Sequence, residues 1–269
     1  CCNTVGLATV LGQKDAEKEK RNADFIRRAI SQGIRAEFFV RPDAPTVINE
    51  RFVNKDFINN RYFGIYHVED QPMDEQLEND IAHRLEEIAK GYDVVLVMDY
   101  GLGMLRPRII EAICNLPQFL AVNTQTNSAN MGYNYITKYP RAEYFSISEP
   151  ELRLAFQAKH ASIEQLLEQA AGVLRAKVIS LTLANRGALL RNQQGQYAIP
   201  VFSQKVVDRI GAGDAFLAIA APCVFLGDVP TELVGFLGNV AGAIACTIVA
   251  NKETVGRDQL LRHIQTLLK

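Results

Sequence analysis

The sequence predicts a three-layer α/β fold, in which helices cover both faces of a central, mostly parallel sheet and a small β lid stands beside it. Two observations predict the layers. Helical and strand patterns alternate from residue 74 onward, and the strands between are almost wholly apolar, as in DVVLVM at Asp93–Met98. Such strands are typical of parallel sheets buried on both faces. The lid is predicted by two β-prone segments that flank a polar turn and hold too few apolar residues to bury both faces.

The first part of the chain is predicted to form a strand, a helix, a second strand and the lid. The helix has an apolar face at helical spacing and is followed by Gly33. In order, the predicted elements are strand Thr4–Leu11, helix Asp15–Gln32, strand Ala36–Val40, and lid strands Thr46–Val53 and Arg61–Val68 around the turn Asn54–Asn60. The lid as a whole covers residues 44–69.

The alternating part of the chain supplies the sheet and its covering helices. Its predicted strands are Asp93–Met98, Phe119–Asn123, Tyr144–Ile147, Val178–Leu183, Leu189–Arg191, Tyr197–Val201 and Lys205–Asp208. Its predicted helices are Glu75–Lys90, Arg106–Cys114, Glu149–Ala158, Ile163–Leu174, Ala212–Leu226, Thr231–Val249 and Arg257–Leu268. Ligands of such sheets bind beyond the carboxyl ends of the strands.

Composition excludes several classes of function. The net charge is −1 over 269 residues, so the chain has no net positive charge that would favour binding to nucleic acid or to an anionic membrane. The apolar stretches Ala215–Gly227 and Val234–Ala250 are shorter than a membrane span. The five cysteines lack CxxC spacing and the four histidines are scattered, which indicates reduced thiols in the cytoplasm and no zinc site. We expect one domain over residues 1–269, and further residues upstream of Cys1.

The stretch Gly211-Ala212-Gly213-Asp214 lies where a helix is predicted to begin. Helix N-termini have unpaired N–H groups and a partial positive charge, and glycine lets an anion approach the backbone closely. The Asp214 carboxylate, in the first turn, can accept a proton from a hydroxyl aimed at that anion. The alternative is an N-cap with tight helix–sheet packing.

A longer match surrounds this stretch. Residues Asp208–Phe216, DRIGAGDAF, fit the D-x-x-G-A-G-D-x-F signature of the ribokinase-like (PfkB) carbohydrate kinases, and the predicted order of elements resembles that family over most of the chain. The resemblance implies a ribokinase-like fold and a single kinase domain that uses ATP and Mg²⁺. It also implies that Asp214 is the catalytic base and that the amides of Gly211, Ala212 and Gly213 form the anion hole for the γ-phosphate.

Two further segments resemble the heptose 7-phosphate kinase branch of that family. Asp99-Tyr100-Gly101-Leu102-Gly103 is similar to its D-Y-x-K-G motif, with Leu102 at the position of the lysine. Arg51, after Pro45-Thr46, resembles a lid arginine that helps to hold a phosphorylated sugar. Asp99, Gly101 and Arg51 are therefore predicted to bind the substrate. The alternatives are a strand-end turn and an exposed arginine.

The family's metal motif, N-x-x-E, is matched in part. The corresponding residues are Ser148-Glu149-Pro150-Glu151, so serine replaces asparagine and the glutamate is kept. The resemblance implies that Glu151 lies near Mg²⁺ and its waters. An S-x-x-E sequence before an apolar helix is also a capping box, and both interpretations can hold together.

The nucleotide is expected at a third region. Thr182-Leu183-Ala184-Asn185-Arg186-Gly187 resembles the family's T-x-G-x-x-G turn, with Ala184 in place of the first glycine. A turn that needs a positive φ there would be strained by alanine. Asn239 matches a family position near the adenine, and the alternative is a hydrogen-bonded amide of the core.

The segment Asn123-Thr124-Gln125 departs most clearly, because heptose-phosphate kinases usually carry D-P-K here. We predict an ATP-dependent kinase for a sugar or sugar phosphate, heptose 7-phosphate among them, with a homodimer through the lid as a further expectation. The alternatives are a non-catalytic protein of this fold that binds nucleotide or sugar, and a kinase for a nucleoside or a vitamin alcohol.

Overall fold

The computed structural model describes residues 2–54, 61–202, 206–249 and 252–269. The chain begins with β1 (Val5–Gly12), α1 (Ala16–Ala29) and β2 (Ile34–Arg41), followed by β3 (Ile48–Val53) and β4 (Arg61–His67). β1 and β2 form a two-stranded parallel sheet, which the structure keeps separate from the central sheet. β3 and β4 pair antiparallel as the predicted lid, and most of its predicted turn, residues 55–60, lies outside the described residues.

The central sheet has six strands in the order β10-β9-β8-β7-β6-β5. They are β5 (Val94–Asp99), β6 (Phe119–Thr124), β7 (Tyr144–Ser148), β8 (Val178–Thr182), β9 (Ala188–Arg191) and β10 (Gln196–Ile199). β5 to β8 run parallel, as their continuous apolar sequences predict, whereas β9 and β10 add as an antiparallel hairpin.

Helices cover both faces of this sheet. On one face lie α2 (Glu75–Ala89), α3 (Pro107–Asn115), α4 (Glu149–Ala155) and α5 (Ile163–Leu174), whose core includes Ile81, Ile109, Leu152 and Leu166. On the other face lie α6 (Ala212–Leu226) and α7 (Thr231–Ala245), whose core includes Phe216, Leu217 and Val234. α8 (Arg257–Leu267) packs on α7. The predicted three-layer fold is confirmed.

One predicted strand is wrong. Val206–Asp208 is not a strand, because the backbone N–H groups of Val207 and Asp208 donate to the Cys246 carbonyl after α7 instead of joining a sheet. Lys205, the first residue of that prediction, lies outside the described residues.

The apolar stretches within residues 215–250 are largely the helices α6 and α7 of the second core. Over the described ranges, no helix is both long enough and apolar enough to cross a bilayer. The four cysteines in those ranges, Cys2, Cys114, Cys223 and Cys246, are free thiols.

Candidate active site

The N-terminus of α6 is open and backbone-rich. Gly211 is the N-cap with φ 79°, a left-handed conformation that favours glycine, and α6 begins without a side-chain cap. A Cβ added to Gly213 would meet no atom within 4 Å, so the space in front of this turn is clear. The Ala212 N–H donates to the Arg209 carbonyl at 3.4 Å, a long bond that an anion bound at this helix N-terminus would replace.

Asp214 lies in this first turn, half-buried, with two neighbouring side chains beside its carboxylate. Gln125 Nε2 donates to Asp214 Oδ1 at 2.7 Å. The Tyr100 hydroxyl, which donates to Met98 Sδ at 3.9 Å, lies near enough to the same carboxylate to affect its pKa. Burial raises the pKa of Asp214, and the side chains of Tyr100 and Gln125 oppose that rise. The arrangement suits a general base, because the carboxyl is oriented and partly shielded from water.

The position of α6 depends on glycines of α7. A Cβ on Gly242 would lie 3.3 Å from the Ala212 carbonyl oxygen, and a Cβ on Gly238 would lie 2.8 Å from the Phe216 ring. The absence of side chains at these two positions lets the helices approach closely. Ala212 and Phe216 flank Asp214, so this contact fixes where the Asp214 side chain lies relative to the sheet.

The predicted nucleotide residues Thr182, Gly187 and Asn239 lie at the end of β8, just before β9 and in the middle of α7. Ala184 has φ 52°, so alanine does occupy a left-handed position, as the replaced glycine predicts. Gly187 has φ 89°, and a Cβ there would lie 2.1 Å from the Ile199 carbonyl oxygen. Asn239 Nδ2 donates to the Pro200 carbonyl at 2.9 Å, and Thr182 Oγ1 donates to the Ile147 carbonyl at 3.4 Å. Gly187 and Asn239 thus both pack against Ile199 and Pro200, where β10 ends.

Glu151 and Ser148 form the predicted capping box. Glu151 Oε2 accepts from the Ser148 N–H and hydroxyl, and Glu151 Oε1 accepts from Thr126 N at 2.9 Å. A carboxylate oxygen accepts about two hydrogen bonds, so Oε1 retains room for a metal-bound water. Mg²⁺ in phosphoryl transfer is held mainly by phosphates and water, with few carboxylates. The residues present therefore fit Glu151 as a partner of the metal's water shell.

The Asp99 carboxylate is buried and already has partners within the protein. Its side chain is 2% exposed; it accepts from the Tyr139 hydroxyl at 2.8 Å and from Gly101 N at 2.9 Å, and pairs with Lys138 Nζ at 2.5 Å. Burial, followed by the charge of Asp99, raises the pKa of Tyr139. A substrate hydroxyl would have to compete with these partners, so the predicted strand-end turn is realised. The sequence gives no local signal for Lys138, which lies 39 residues further on.

A pocket of about 270 Å³ opens beside this cluster. The structure brings the predicted substrate residues Asp99 and Gly101 into its wall together with Leu102, Lys138 and the linker after β4. Arg51 stands apart from that wall, exposed on β3 opposite Gly64. Within the described parts of the chain, no group of three His, Cys, Asp or Glu side chains could hold a metal.

Comparisons with known proteins bear on the family and the fold of the chain. The pfkB family carbohydrate kinases match residues 24–250. Among curated proteins, the bifunctional protein HldE of Trichlorobacter lovleyi is 27% identical over 179 residues, or 65% of this chain and 36% of that protein. HldE of Bradyrhizobium sp. is 24% identical over 82% of this chain and 45% of that protein, so the chain spans less than half of these relatives.

Solved structures share the fold. Phosphofructokinase-2 of Escherichia coli, in its tetrameric inhibited form, superposes with a TM-score of 0.73 at 11% identity, covering 99% of this chain and 83% of that one. Ribokinase of Thermotoga maritima superposes with a TM-score of 0.70 at 18% identity, covering 97% and 81%.

Proposed function

Since the chain belongs to the pfkB family of carbohydrate kinases, we propose that it transfers the γ-phosphate of ATP to a sugar hydroxyl that Asp214 deprotonates. The observation that carries the proposal is the first turn of α6, where an oriented carboxylate stands beside uncapped backbone amides. The carboxylate can accept the proton of the alcohol, and the backbone amides can stabilise the negative charge of the transferred phosphoryl group. Phosphoryl transfer to an alcohol requires both.

The reaction makes a bond between the sugar oxygen and the γ-phosphorus and breaks the bond from that phosphorus to the β-phosphate oxygen. Asp214 takes the proton of the hydroxyl as the new bond forms. The amides of Gly211, Ala212 and Gly213 stabilise charge on the equatorial oxygens, and ADP leaves with the electron pair of the broken bond. Most of the rate would come from positioning and electrostatics.

The nucleotide would lie along Thr182, Gly187 and Asn239, so its phosphates point to the N-terminus of α6. Glu151 would hold a water of Mg²⁺, which when bound neutralises charge on the phosphates. We expect Glu151→Gln to raise the Mg²⁺ concentration needed for half-maximal rate while leaving the acceptor KM unchanged. ATP as donor also favours a cytoplasmic location.

Heptose 7-phosphate is the first acceptor to test, because the segment Asp99–Gly103 and the lid residue Arg51 resemble that branch. Leu102, Asn123 and Gln125 are uncharged where the branch usually carries charge. A panel of phosphorylated and unphosphorylated sugars is therefore needed to identify the acceptor.

The deciding experiment measures ADP and phosphorylated product with Mg-ATP across that panel, a nucleoside and a vitamin alcohol. Asp214→Asn is the test variant. Asp228→Asn is its matched control, because Asp228 is exposed just beyond the other end of α6. Turnover of one sugar that is lost in Asp214→Asn and kept in Asp228→Asn supports the proposal.

Other results point elsewhere. Turnover of the nucleoside or the vitamin alcohol alone would assign a different phosphotransferase of this fold. ATP binding without turnover of any acceptor would assign a non-catalytic protein, for which the departures at Asn123, Gln125 and Ser148 are the candidate causes.

The lid is proposed to form a homodimer. Phe52, Phe63 and Ile65 share one face of the hairpin and are 42%, 56% and 41% exposed, and the rings of Phe52 and Phe63 stack at 4.5 Å. Burying such a face needs a partner. Sedimentation should show a dimer that Phe63→Ser converts to monomer, and a wild-type monomer at all concentrations would refute this part.

A further inference from the structure

Gln125, which donates to Asp214, and Tyr100, which affects the pKa of Asp214, come from the ends of neighbouring strands. Asp99 of β5 and Thr124 of β6 are paired in register, and Tyr100 and Gln125 are the next residue on each strand. The Gln125 N–H still donates to the Asp99 carbonyl at 2.8 Å, whereas the carbonyls of Tyr100 and Gln125 lie beyond the last paired residues of the two strands. Something else must fix these carbonyls if the side chains of the two residues are to orient a carboxylate.

One buried amide connects the two backbones. Asn130 is 5% exposed, and its Nδ2 donates to the Tyr100 carbonyl at 2.6 Å and to the Gln125 carbonyl at 3.0 Å. Its Oδ1 accepts from Asn127 N at 2.9 Å. Both amide hydrogens and the amide oxygen are therefore used, which fixes the side chain in one orientation.

Two neighbouring asparagines complete the cluster. Asn127 Nδ2 donates to the Tyr100 carbonyl at 2.7 Å, and Asn134 Nδ2 donates to the Gln125 carbonyl at 3.1 Å and to the Asp99 carbonyl at 2.9 Å. Each of the Tyr100 and Gln125 carbonyls thus accepts two side-chain N–H groups, the full capacity of a carbonyl oxygen. Of the three asparagines, Asn130 is the one that ties Tyr100 to Gln125.

We propose that Asn130 is a positioning residue for the base, acting on Asp214 through Tyr100 and Gln125, and this inference rests on the proposed function. The Asn130 amide fixes the carbonyls of Tyr100 and Gln125, and these carbonyls position the two side chains. The Gln125 side chain then holds the Asp214 carboxylate by a hydrogen bond, and the Tyr100 side chain lies beside it. The side chains of Asn130, Tyr100 and Gln125 are uncharged, so Asp214 is the one charged group in this series of contacts. The groups that act on its charge from the packed strands are Tyr100 and Gln125, while α7 faces this turn with Gly242.

The direct test is the titration of Asp214, followed by the NMR signal of ¹³C-labelled aspartate carboxyls and assigned by comparison with Asp214→Asn. In Asn130→Ala, the contacts that oppose the effect of burial are weakened, so the pKa of Asp214 should rise. Asn115→Ala, at an exposed helix end, is the control and should leave it unchanged. This readout needs no substrate.

The second measurement is kinetic. Asn130→Ala should lower kcat about 10- to 100-fold, the loss typical of a misplaced catalytic group. The acid limb of its pH profile should move to higher pH, with the Kd for Mg-ADP unchanged. In a Tyr100→Phe, Gln125→Leu background, the same substitution should have little further effect on kcat, because its route to Asp214 is already removed.

The outcomes separate the two proposals. An active wild-type kinase whose Asp214 pKa and kcat are unchanged by Asn130→Ala would overturn the positioning role and leave the proposed function intact. A shifted pKa in a protein that phosphorylates no acceptor would support the positioning role and overturn the function. If Asn130→Ala does not fold, Asn130→Ser retains one donor and is subject to the same criteria.

Discussion

The close approach of α6 and α7 makes a quantitative prediction at Gly238. A Cβ at this position would lie 2.8–2.9 Å from three atoms of the Phe216 ring, up to about 0.7 Å inside the optimum carbon–carbon distance. Phe216 is 2% exposed, so its ring has little room to move. Overpacking of this kind costs about 1–3 kcal/mol, whereas replacing a helical glycine by alanine gains about 1 kcal/mol.

Gly172 provides the matched control. It lies in the last turn of α5, and an added Cβ would meet nothing within 4 Å. Gly172→Ala should therefore stabilise the protein by about 0.5–1 kcal/mol, while Gly238→Ala should destabilise it by up to about 2 kcal/mol. The difference between the two variants isolates the contact with Phe216.

The assay is urea unfolding of wild type and both variants, with equal m-values as the check that only stability has changed. Activity should fall in Gly238→Ala as well, because Phe216 lies two residues beyond Asp214 on α6. Equal stabilisation by both substitutions would refute the reasoning, since it would mean that the helices separate at no cost.

Three further predictions concern buried or strained groups. Burial raises the pKa of Asp214, so its ionisation costs folding free energy; Asp214→Asn should melt above wild type at pH 7, and the difference should vanish below about pH 3.9, where the carboxyl is protonated in both folded and unfolded states. Lys138→Met leaves the buried Asp99 carboxylate without its cation and should cost about 3 kcal/mol in urea unfolding, part of which Asp99→Asn restores. Ala184→Gly removes a left-handed alanine and should raise the free energy of unfolding by up to about 1 kcal/mol, whereas a loss of stability would contradict the strain.

Local pattern was enough to predict the layers and the start of α6. The apolar strands, the Gly211-Ala212-Gly213-Asp214 turn and the Ser148 capping box depend on neighbours in sequence, and the structure shows each of them. The match to T-x-G-x-x-G marks residue 184 as the place where a positive φ would strain alanine, and Ala184 has φ 52°.

The contacts around Asp214 were not predictable from the sequence. Gln125 meets Asp214 across 89 residues, and Lys138 meets Asp99 across 39, so no periodicity records either pair. In the sequence, Gln125 is distinguished only by its departure from the D-P-K motif. Asn127, Asn130 and Asn134 lie in a segment whose composition is typical of a loop. Their hydrogen bonds to the carbonyls after β5 and β6 depend on where those two strands end, which the local sequence does not record.

The contacts of Asp99 with Lys138 and Tyr139 also affect the order in which parts of the chain fold during synthesis. During synthesis, β5 leaves the ribosome before Lys138 and Tyr139, the two side chains that satisfy this carboxylate. Until that later segment arrives, closing the end of the sheet would bury an unpaired charge, which is costly. The rim of β5 should therefore stay hydrated until residue 139 has emerged, and the pocket beside it should be among the last parts of this region to form.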